Sequence, residues 1–571
     1  MNFSKITYVL LCCLLLSMSQ SRAQSCVWAK RAGGIIEDEA KGVATDAAGN
    51  VYVTGYFQSA TITFGATTFT NADSTTGDIF IVKYDPSGNV LWAHNAGGPR
   101  NDQAMSVATD AAGNVYITGY FMSPTLTFGS TVLTNGTSSA LGYDIFLAKY
   151  DADGNVVWAK NASGDYGNYA TAVAADAAGN AYIAGHFVST TLTFGSISVN
   201  NANPTTADIF IAKYDASGTP VWAKSVGAPE EEKATAVATD RFGNVFVTGY
   251  FTGANVAFAT TTLINPGVGT TEAFLVRYNA DGNESWTRRA GSNGAESGTG
   301  LATDSSGNVY MSGYFSSVNV ILGSTTLLNN SSTGIAIDMF AAKYDSIGSP
   351  VWAKSGGGNS DDYATAIDVG VGGSVYITGY FKSPTVTLGT ATLTNTSSGS
   401  NDLFVAKYDN TGNLQWATGN GGSKNEYAHT IAADGDGNVL VAGSFTSPTM
   451  TIGLNTLTNA NGSGFSWDMF VAKYRSSSVS VDDITSQNSL RLYPNPASGS
   501  ITLSANDLDA ISAISIYDML GRMVYQVSDL APLRISDKSV ELYLPSLANG
   551  VYRLCASGRT AIASLPFAIQ Q

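Results

Sequence analysis

Three residue series keep one beat along this chain, and a beat of that length dictates a repeat architecture before any single element is assigned. Trp28, Trp92, Trp158, Trp222, Trp286, Trp352 and Trp416 recur every 64 or 66 residues. Gly55, Gly119, Gly185, Gly249, Gly313, Gly379 and Gly443 follow the same interval. So do Tyr84, Tyr150, Tyr214, Tyr278, Tyr344, Tyr408 and Tyr474, each preceded by Lys or Arg. Every series has seven members, so the expectation is seven copies of one supersecondary unit.

Unit 1 reads as four strands: A, "KGVATD"; B, "NVYVTGYF"; C, "DIFIVKYD"; and D, "NVLWAHN". Asp46 to Asn50 and Asp85 to Asn89 link A to B and C to D with the pattern Asp-x-x-Gly-Asn. Asp caps backbone amides at the start of a turn and Gly takes the positive φ, which predicts tight hairpins. In strand B, Val51, Val53 and Phe57 alternate with Tyr52 and Tyr56, so both faces need cover. Four-stranded sheets packed face to face around an axis supply that cover and shelter most strand edges.

The ends of the array sharpen the expectation. Unit 7 stops after its C strand at "FVAKYRSSS", while "SCVWAK" stands alone ahead of unit 1 as an orphan D strand carrying Trp28. The two pieces complete one blade, which is how a circular propeller closes; an open solenoid would call for capping units at both ends. The predicted fold is all-β, a seven-bladed β-propeller over residues 24–475 closed by the N-terminal strand. A Ser-rich linker at 476–489 and a small C-terminal β-sandwich at 490–571 follow.

Composition enters as a constraint on partners. Residues 1–23 have the form of a signal peptide: Lys5, the apolar run Ile6 to Leu16, and Ser21-Arg22-Ala23 before the expected cleavage. Cys12 and Cys13 lie inside the apolar run and Cys26 lacks a lipidation context, so no lipid anchor is expected. Cleavage lowers the net charge from −15 to −17, which argues against nucleic acid and anionic membrane as partners. Cys26 and Cys555 alone make no disulfide framework. Beyond the signal no apolar stretch reaches the roughly 20 residues of a spanning helix.

The unit "DDYATAI…GSVYITGYF…DLFVAKYDNTGNLQWA" resembles the bacterial SBBP β-propeller repeat, found in exported proteins mostly without assigned activity. Departures are local: Glu272 and Arg277 in unit 4, Gly370 and Ser374 in the first turn of unit 6. The C-terminal region resembles the type A sorting domain of the type IX secretion system of Bacteroidota. The matching residues are Tyr493-Pro494-Asn495-Pro496, Tyr517-Asp518 with Leu520-Gly521-Arg522, and Leu547-Ala548-Asn549-Gly550-Val551-Tyr552. The chain ends Ile569-Gln570-Gln571 where many members carry a basic residue. That resemblance implies export across both membranes, recognition by the type IX machinery, and a cell-surface or extracellular destination.

No catalytic motif stands out. His94, His186 and His429 occupy unrelated repeat positions and read as structural or surface residues. No cofactor is expected. Calcium at turns such as Asp151 to Asn155 or Asp434 to Asn438 is weighed against turn capping, and too few oxygens are at hand for it. A second series, Asp38, Asp102, Asn168, Glu232, Glu296, Asp362 and Glu426, sits eight residues before the first turn of each unit. These six acids are candidates for a ring around the channel mouth that attracts a cation or a positively charged ligand, or for a repeated bond to backbone at the strand start. The long B-to-C insertions are expected to add a hairpin per blade around Gly65, Gly129, Gly195, Gly323, Gly389 and Gly453 on that same face. Loop-rich faces on rigid scaffolds carry binding, with Tyr169, Tyr363 and Tyr427 as candidate contacts. The expected function is a non-enzymatic module that binds glycan or a surface protein. The alternatives are a polysaccharide-acting hydrolase or lyase at the channel mouth, or a structural part of adhesion or gliding machinery.

Overall fold

The computed structural model describes residues 26–475 and 491–569, apart from 74, 138–141, 268, 332–335, 463, 506–510, 519–522, 528–529, 537, 545–546, 549 and 559–561. The predicted signal peptide and the whole linker lie outside the described residues. The chain divides into two compact units, Met1–Ser476 and Ser477–Gln571. Among the described residues it is all β, with two 3-10 turns and no α-helix.

Unit 1 of the array is Asp38–Thr45 (A), Val51–Phe57 (B), Asp78–Tyr84 (C) and Val90–Ala96 (D), antiparallel throughout and ordered A-B-C-D in one sheet. Six such sheets follow in sequence. In the last, the orphan N-terminal strand Cys26–Ala32 pairs with the C strand Asp468–Tyr474 and takes the D position. Every residue of B and C in unit 1 is buried. That is the two-sided cover the sequence pattern requires.

Each A strand starts three residues earlier than its sequence pattern suggests. The reason is a bulge: register slips between Ala40 and Gly42, so the strand carries an extra residue, and the same slip recurs in all seven units. The bulge also explains the glycine series. A Cβ on Gly55 would overlap the Glu39 carbonyl oxygen, and Gly119, Gly185, Gly249, Gly313, Gly379 and Gly443 meet the same obstacle.

The turns behave as the sequence predicts. Asp46 Oδ1 accepts the Ala48 and Asn50 amides at 2.9 Å, Asn50 donates back to Oδ2 at 2.8 Å, and Gly49 has φ 77°. At Asp151 and Asp434 the same N–H donors reach both carboxylate oxygens, and Lys473 Nζ lies 2.9 Å from Asp434 Oδ2. In unit 6, where Gly370 and Ser374 interrupt the pattern, a 3-10 turn with positive φ at Gly372 and Gly373 takes over.

Trp and Lys join each sheet to the next. Trp222 Nε1 donates to the Ala280 carbonyl in the following unit's C-D turn at 3.1 Å, and Trp92, Trp158, Trp286 and Trp352 do the same. Lys83 lies over the Tyr52 ring and donates to the Ala152 carbonyl at 2.9 Å. Trp28 and Lys473, from the last sheet, both donate to the Pro86 carbonyl of unit 1. Among the described residues Trp416 Nε1 has no partner, and the sequence of unit 7 lacks the C-D turn that accepts its counterparts. The A strands bond to one another as well: Thr109 to the Thr45 carbonyl, Thr303 to the Thr239 carbonyl, and Thr45 to the Ala433 carbonyl of unit 7, each at 2.8 Å.

Each unit also carries the expected B-to-C hairpin, such as Thr61–Phe64 with Thr67–Thr70. The hairpins of units 3 and 6 pair with the D strand of the preceding sheet and extend it to six strands.

The C-terminal unit has two four-stranded sheets. Ile501, Leu503, Ile514, Ile516, Val540, Leu542 and Leu554 form its core. The Tyr-Pro-Asn-Pro segment is stitched to the last strand, since Asn495 Oδ1 accepts the Ala568 amide at 2.9 Å and the Ala497 amide donates to the Ala568 carbonyl at 2.8 Å. Tyr552 donates to the Ala548 carbonyl, while Gly550 is exposed and Gly521, Arg522 and Asn549 lie outside the described residues.

Candidate functional site

The D-to-A connections and the B-to-C hairpins meet at one end of the strands, where the first residue of each A strand sits. The acidic series turns inward there instead of ringing a mouth. Asp38, Asp102, Glu232, Glu296, Asp362 and Glu426 are fully buried. Asp102 Oδ2 accepts the Ser123 hydroxyl at 2.7 Å and Oδ1 accepts the Ser123 amide at 3.1 Å. Asp38 takes Ser59 and the Gly34 amide, Asp362 takes Ser383, and Glu296 takes Ser317. A strand alternates its faces, so an acid whose neighbour faces outward must itself face the sheet-to-sheet contact.

That neighbouring row is the solvent-facing one. It comprises Glu39, Gln103, Tyr169, Lys233, Ser297, Tyr363 and Tyr427, paired across to Tyr56, Tyr120, His186, Tyr250, Tyr314, Tyr380 and Ser444 of the B strands. All seven members of the A row except Ser297 are half-buried. The three tyrosines picked out in the sequence therefore stand in one row, and their surroundings make two aromatic sectors. In the first, Tyr169 lies 5.0 Å from both Tyr120 and Tyr143 and stacks on His186 at 4.9 Å. In the second, Tyr363 contacts Tyr314 and Tyr380 at 5.1 Å, Tyr380 contacts Tyr427 at 4.5 Å, and Tyr427 contacts Trp467 at 5.1 Å.

Hydroxyls along the row are held in place: Tyr120 donates to Gln103 Oε1 at 2.6 Å, and Asn401 donates to Tyr427 Oη at 2.8 Å. Burial pushes Tyr169 and Tyr363 up to about 12, so both stay neutral hydroxyls that can donate and accept.

A charged sector separates the second arc from the first. Glu39 Oε1 accepts Tyr56 at 2.5 Å, and Oε2 accepts Lys41 at 2.7 Å and contacts His429 at 3.1 Å. Burial opposes its charge, yet the His429 bond and the Lys41 charge hold its carboxyl well below the usual range. His429, in the middle of strand Glu426–Ala433, is pushed down by burial. His186 falls to about 3 for the same reason, and His94 is also lowered by burial beside the Tyr150 ring. Glu39 is the one carboxylate of the row and its oxygens are committed. Among the described residues no group of three or more His, Cys, Asp or Glu side chains is arranged to hold a metal ion.

Sequence reasoning found the tyrosines of the A row and missed their aromatic partners Tyr143, Tyr314, Tyr380 and Trp467. The available signal was the cross-strand register of A and B, which the unpredicted bulge displaces by one residue.

Comparison with known proteins places both parts of the chain. Residues 491–564 match the model of the secretion system C-terminal sorting domain, and residues 285–314 match the SBBP β-propeller repeat. The chain thus carries a match to the SBBP β-propeller repeat and a match to a secretion system C-terminal sorting domain. A sorting domain of this kind indicates export to the cell surface or beyond and implies recognition by the type IX machinery. No helix among the described residues is long and apolar enough to cross a membrane.

An uncharacterized WD repeat-containing protein L264 of Acanthamoeba polyphaga mimivirus is 22% identical over 547 residues, covering 81% of this chain and 39% of that one. The regulatory protein FlaEY of Caulobacter vibrioides is 32% identical over 108 residues, 19% of this chain and 11% of that one. The chain thus spans well under half the length of these relatives. A glycoside hydrolase family 32 structure from Bifidobacterium adolescentis aligns over 95% of this chain and 96% of its own at 10% identity, with a TM-score of 0.26. That score is too low to transfer a fold or an activity.

Proposed function

We propose that the SBBP array is a closed seven-bladed propeller that acts outside the cell as a non-catalytic binding module for glycan, with its ligand on the aromatic row. Closure is supported by Trp28 and Lys473 meeting at the Pro86 carbonyl and by the Thr45 bond to Ala433, which join the last sheet to the first. The row then lines the loop-side mouth of the central channel.

The observation that carries the ligand class is the arc Tyr314, Tyr363, Tyr380, Tyr427 and Trp467, half-buried and linked ring to ring. A pyranose offers C–H faces and a rim of hydroxyls. Half-exposed aromatic rings with fixed polar groups beside them match both features. The row repeats in position but not in composition, so an asymmetric ligand can be read across adjacent units. Its single carboxylate, Glu39, is committed to Lys41, Tyr56 and His429, which favours binding over hydrolysis.

The test is a broad glycan array probed with the full chain, with turnover of each hit assayed in parallel. Binding that Tyr363→Ala and Tyr427→Ala each weaken about tenfold or more, with no turnover, supports this reading. Cleavage of a bound glycan overturns it in favour of an enzyme. Binding untouched by either substitution moves the ligand elsewhere.

A further inference from the structure

One backbone position in the D-to-A connection is held the same way in six units and carries a different side chain in each. Its occupants are Ile36, Arg100, Tyr166, Gly294, Ser360 and Lys424, and every one of their amides donates to a serine hydroxyl just past strand B. A constant frame with a changing side chain lets a repeat scaffold make one sector of its surface unlike the next.

Lys424 is the member beside the second aromatic arc. It stands on the same connection that leads into Tyr427, and its ammonium lies 4.7 Å from the centre of the Phe465 ring. Phe465 belongs to the loop that ends in Trp467, whose ring contacts Tyr427 at 5.1 Å. Gly464 makes room for the lysine stem, since a Cβ there would lie 2.7 Å from Lys424 Cε. The Phe465 ring is 82% exposed, so it contributes little burial to the fold. Thr75, Thr205, Gly269 and Gly399 stand at the equivalent place in other units.

The charge of Lys424 is unanswered. Lys41 is paired with Glu39 at 2.7 Å, Lys233 with Glu231 at 3.1 Å, and Arg289 with Glu272 at 3.3 Å. Lys424 forms no ion pair among the described residues, and a ring contact leaves its N–H donors available. Two carboxylates act on the tyrosines of the arc from other sides. Glu39 is held by Lys41 and His429, and Asp361, close to Tyr363 and Tyr380, accepts the Ile337 amide at 3.1 Å. The arc therefore has an acid at its unit 6 end and a free ammonium at its unit 7 end.

We propose that the ligand of this arc is an anionic glycan, with sugar faces on Tyr363, Tyr427 and Trp467 and a carboxylate or sulfate group on Lys424, which Phe465 holds in place. The inference rests on the glycan reading and adds to it the charge of the ligand and the residue that reads that charge. The negative net charge of the chain does not oppose it strongly, because at physiological salt a Debye length of about 8 Å screens the distant acids.

The test titrates the full chain with two matched pairs of probes, oligogalacturonate against its full methyl ester and dextran sulfate against dextran. The expected result is a charged probe bound about tenfold or more tighter than its neutral counterpart, with a gap that narrows as salt rises. A gap in the first pair alone assigns a carboxylate, and one in the second alone a sulfate. Lys424→Gln should close the gap, Lys424→Arg should keep most of it, and Tyr427→Ala should weaken charged and neutral probes alike. Equal binding of charged and neutral probes that Tyr427→Ala weakens overturns the charge inference and leaves the glycan reading standing. A charge preference that survives Lys424→Gln, or that Tyr427→Ala does not touch, overturns it as well, since the anion is then held away from the arc. If none of the four probes binds, the inference falls, while the glycan reading stands or falls separately on whether Tyr427→Ala weakens any hit of the array.

Discussion

Trp28→Ala is the substitution that separates a closed ring from an open array. Trp28 belongs to the N-terminal strand, yet its ring is only 6% exposed because Gly88 and Pro86 of unit 1 cover it. A buried tryptophan removes about 200 Å² from water, worth about 5 kcal/mol as an upper figure at ~25 cal/mol per Å². Truncations of this kind cost about 3–5 kcal/mol. The lost bond to Pro86 adds little, since that residue is exposed and its carbonyl can turn to water or Lys473. Trp222, in mid-array with 9% exposure and the same bond to Ala280, should cost as much. Trp416, half-buried and with an unpartnered indole N–H, should cost clearly less. The measurement is the urea midpoint of each full-length variant followed by far-UV circular dichroism, with unchanged m-values required before midpoints are compared. The reasoning fails if Trp28→Ala costs under about 1 kcal/mol while Trp222→Ala costs about 4. That outcome would mean the first strand is not seated between the last and first units.

The glycine series offers a second check: Gly249→Ala drives a Cβ into the Lys233 carbonyl and should destabilise by about 1–3 kcal/mol or more, whereas Gly435→Ala, with open space around it, should be neutral or slightly stabilising in the same urea assay. Burial raises Asp102 and Asp338 to about 7 and Glu232 and Glu426 to about 8, above their unfolded values. Such groups bind more protons folded than unfolded, so the protein should be steadiest near the ordinary carboxylate range of about 4 and lose stability as pH rises from there through about 7–8. Urea midpoints that rise over that interval would contradict the assignment. Deleting residues 483–571 should leave the array in the periplasm, and surface exposure of the truncated chain, read by protease shaving of intact cells, would refute the sorting role of the C-terminal domain.

The sequence by itself determined the seven units, their four-strand content and the paired turns. Trp, Gly, Tyr and Asp-x-x-Gly-Asn recur because each unit must solve the same local problem, and local problems leave periodic residues. It also determined that unit 7 lacks a D strand and that "SCVWAK" is the piece to supply it. Tertiary structure alone decided which way the acids face. The bulge at Lys41 adds one residue to each A strand; with a side-chain period of two, that single residue sends Asp38 and its six counterparts inside and hands the solvent row to Glu39, Tyr169, Tyr363 and Tyr427. The Gly55 series is the mark that the bulge leaves in each unit, but a glycine in strand B does not say at which residue strand A slips, and so not which face each acid takes. The nearness of buried Asp208 to buried Glu232 was invisible for a related reason: they belong to different units, and only the packing of one sheet on the next brings them together.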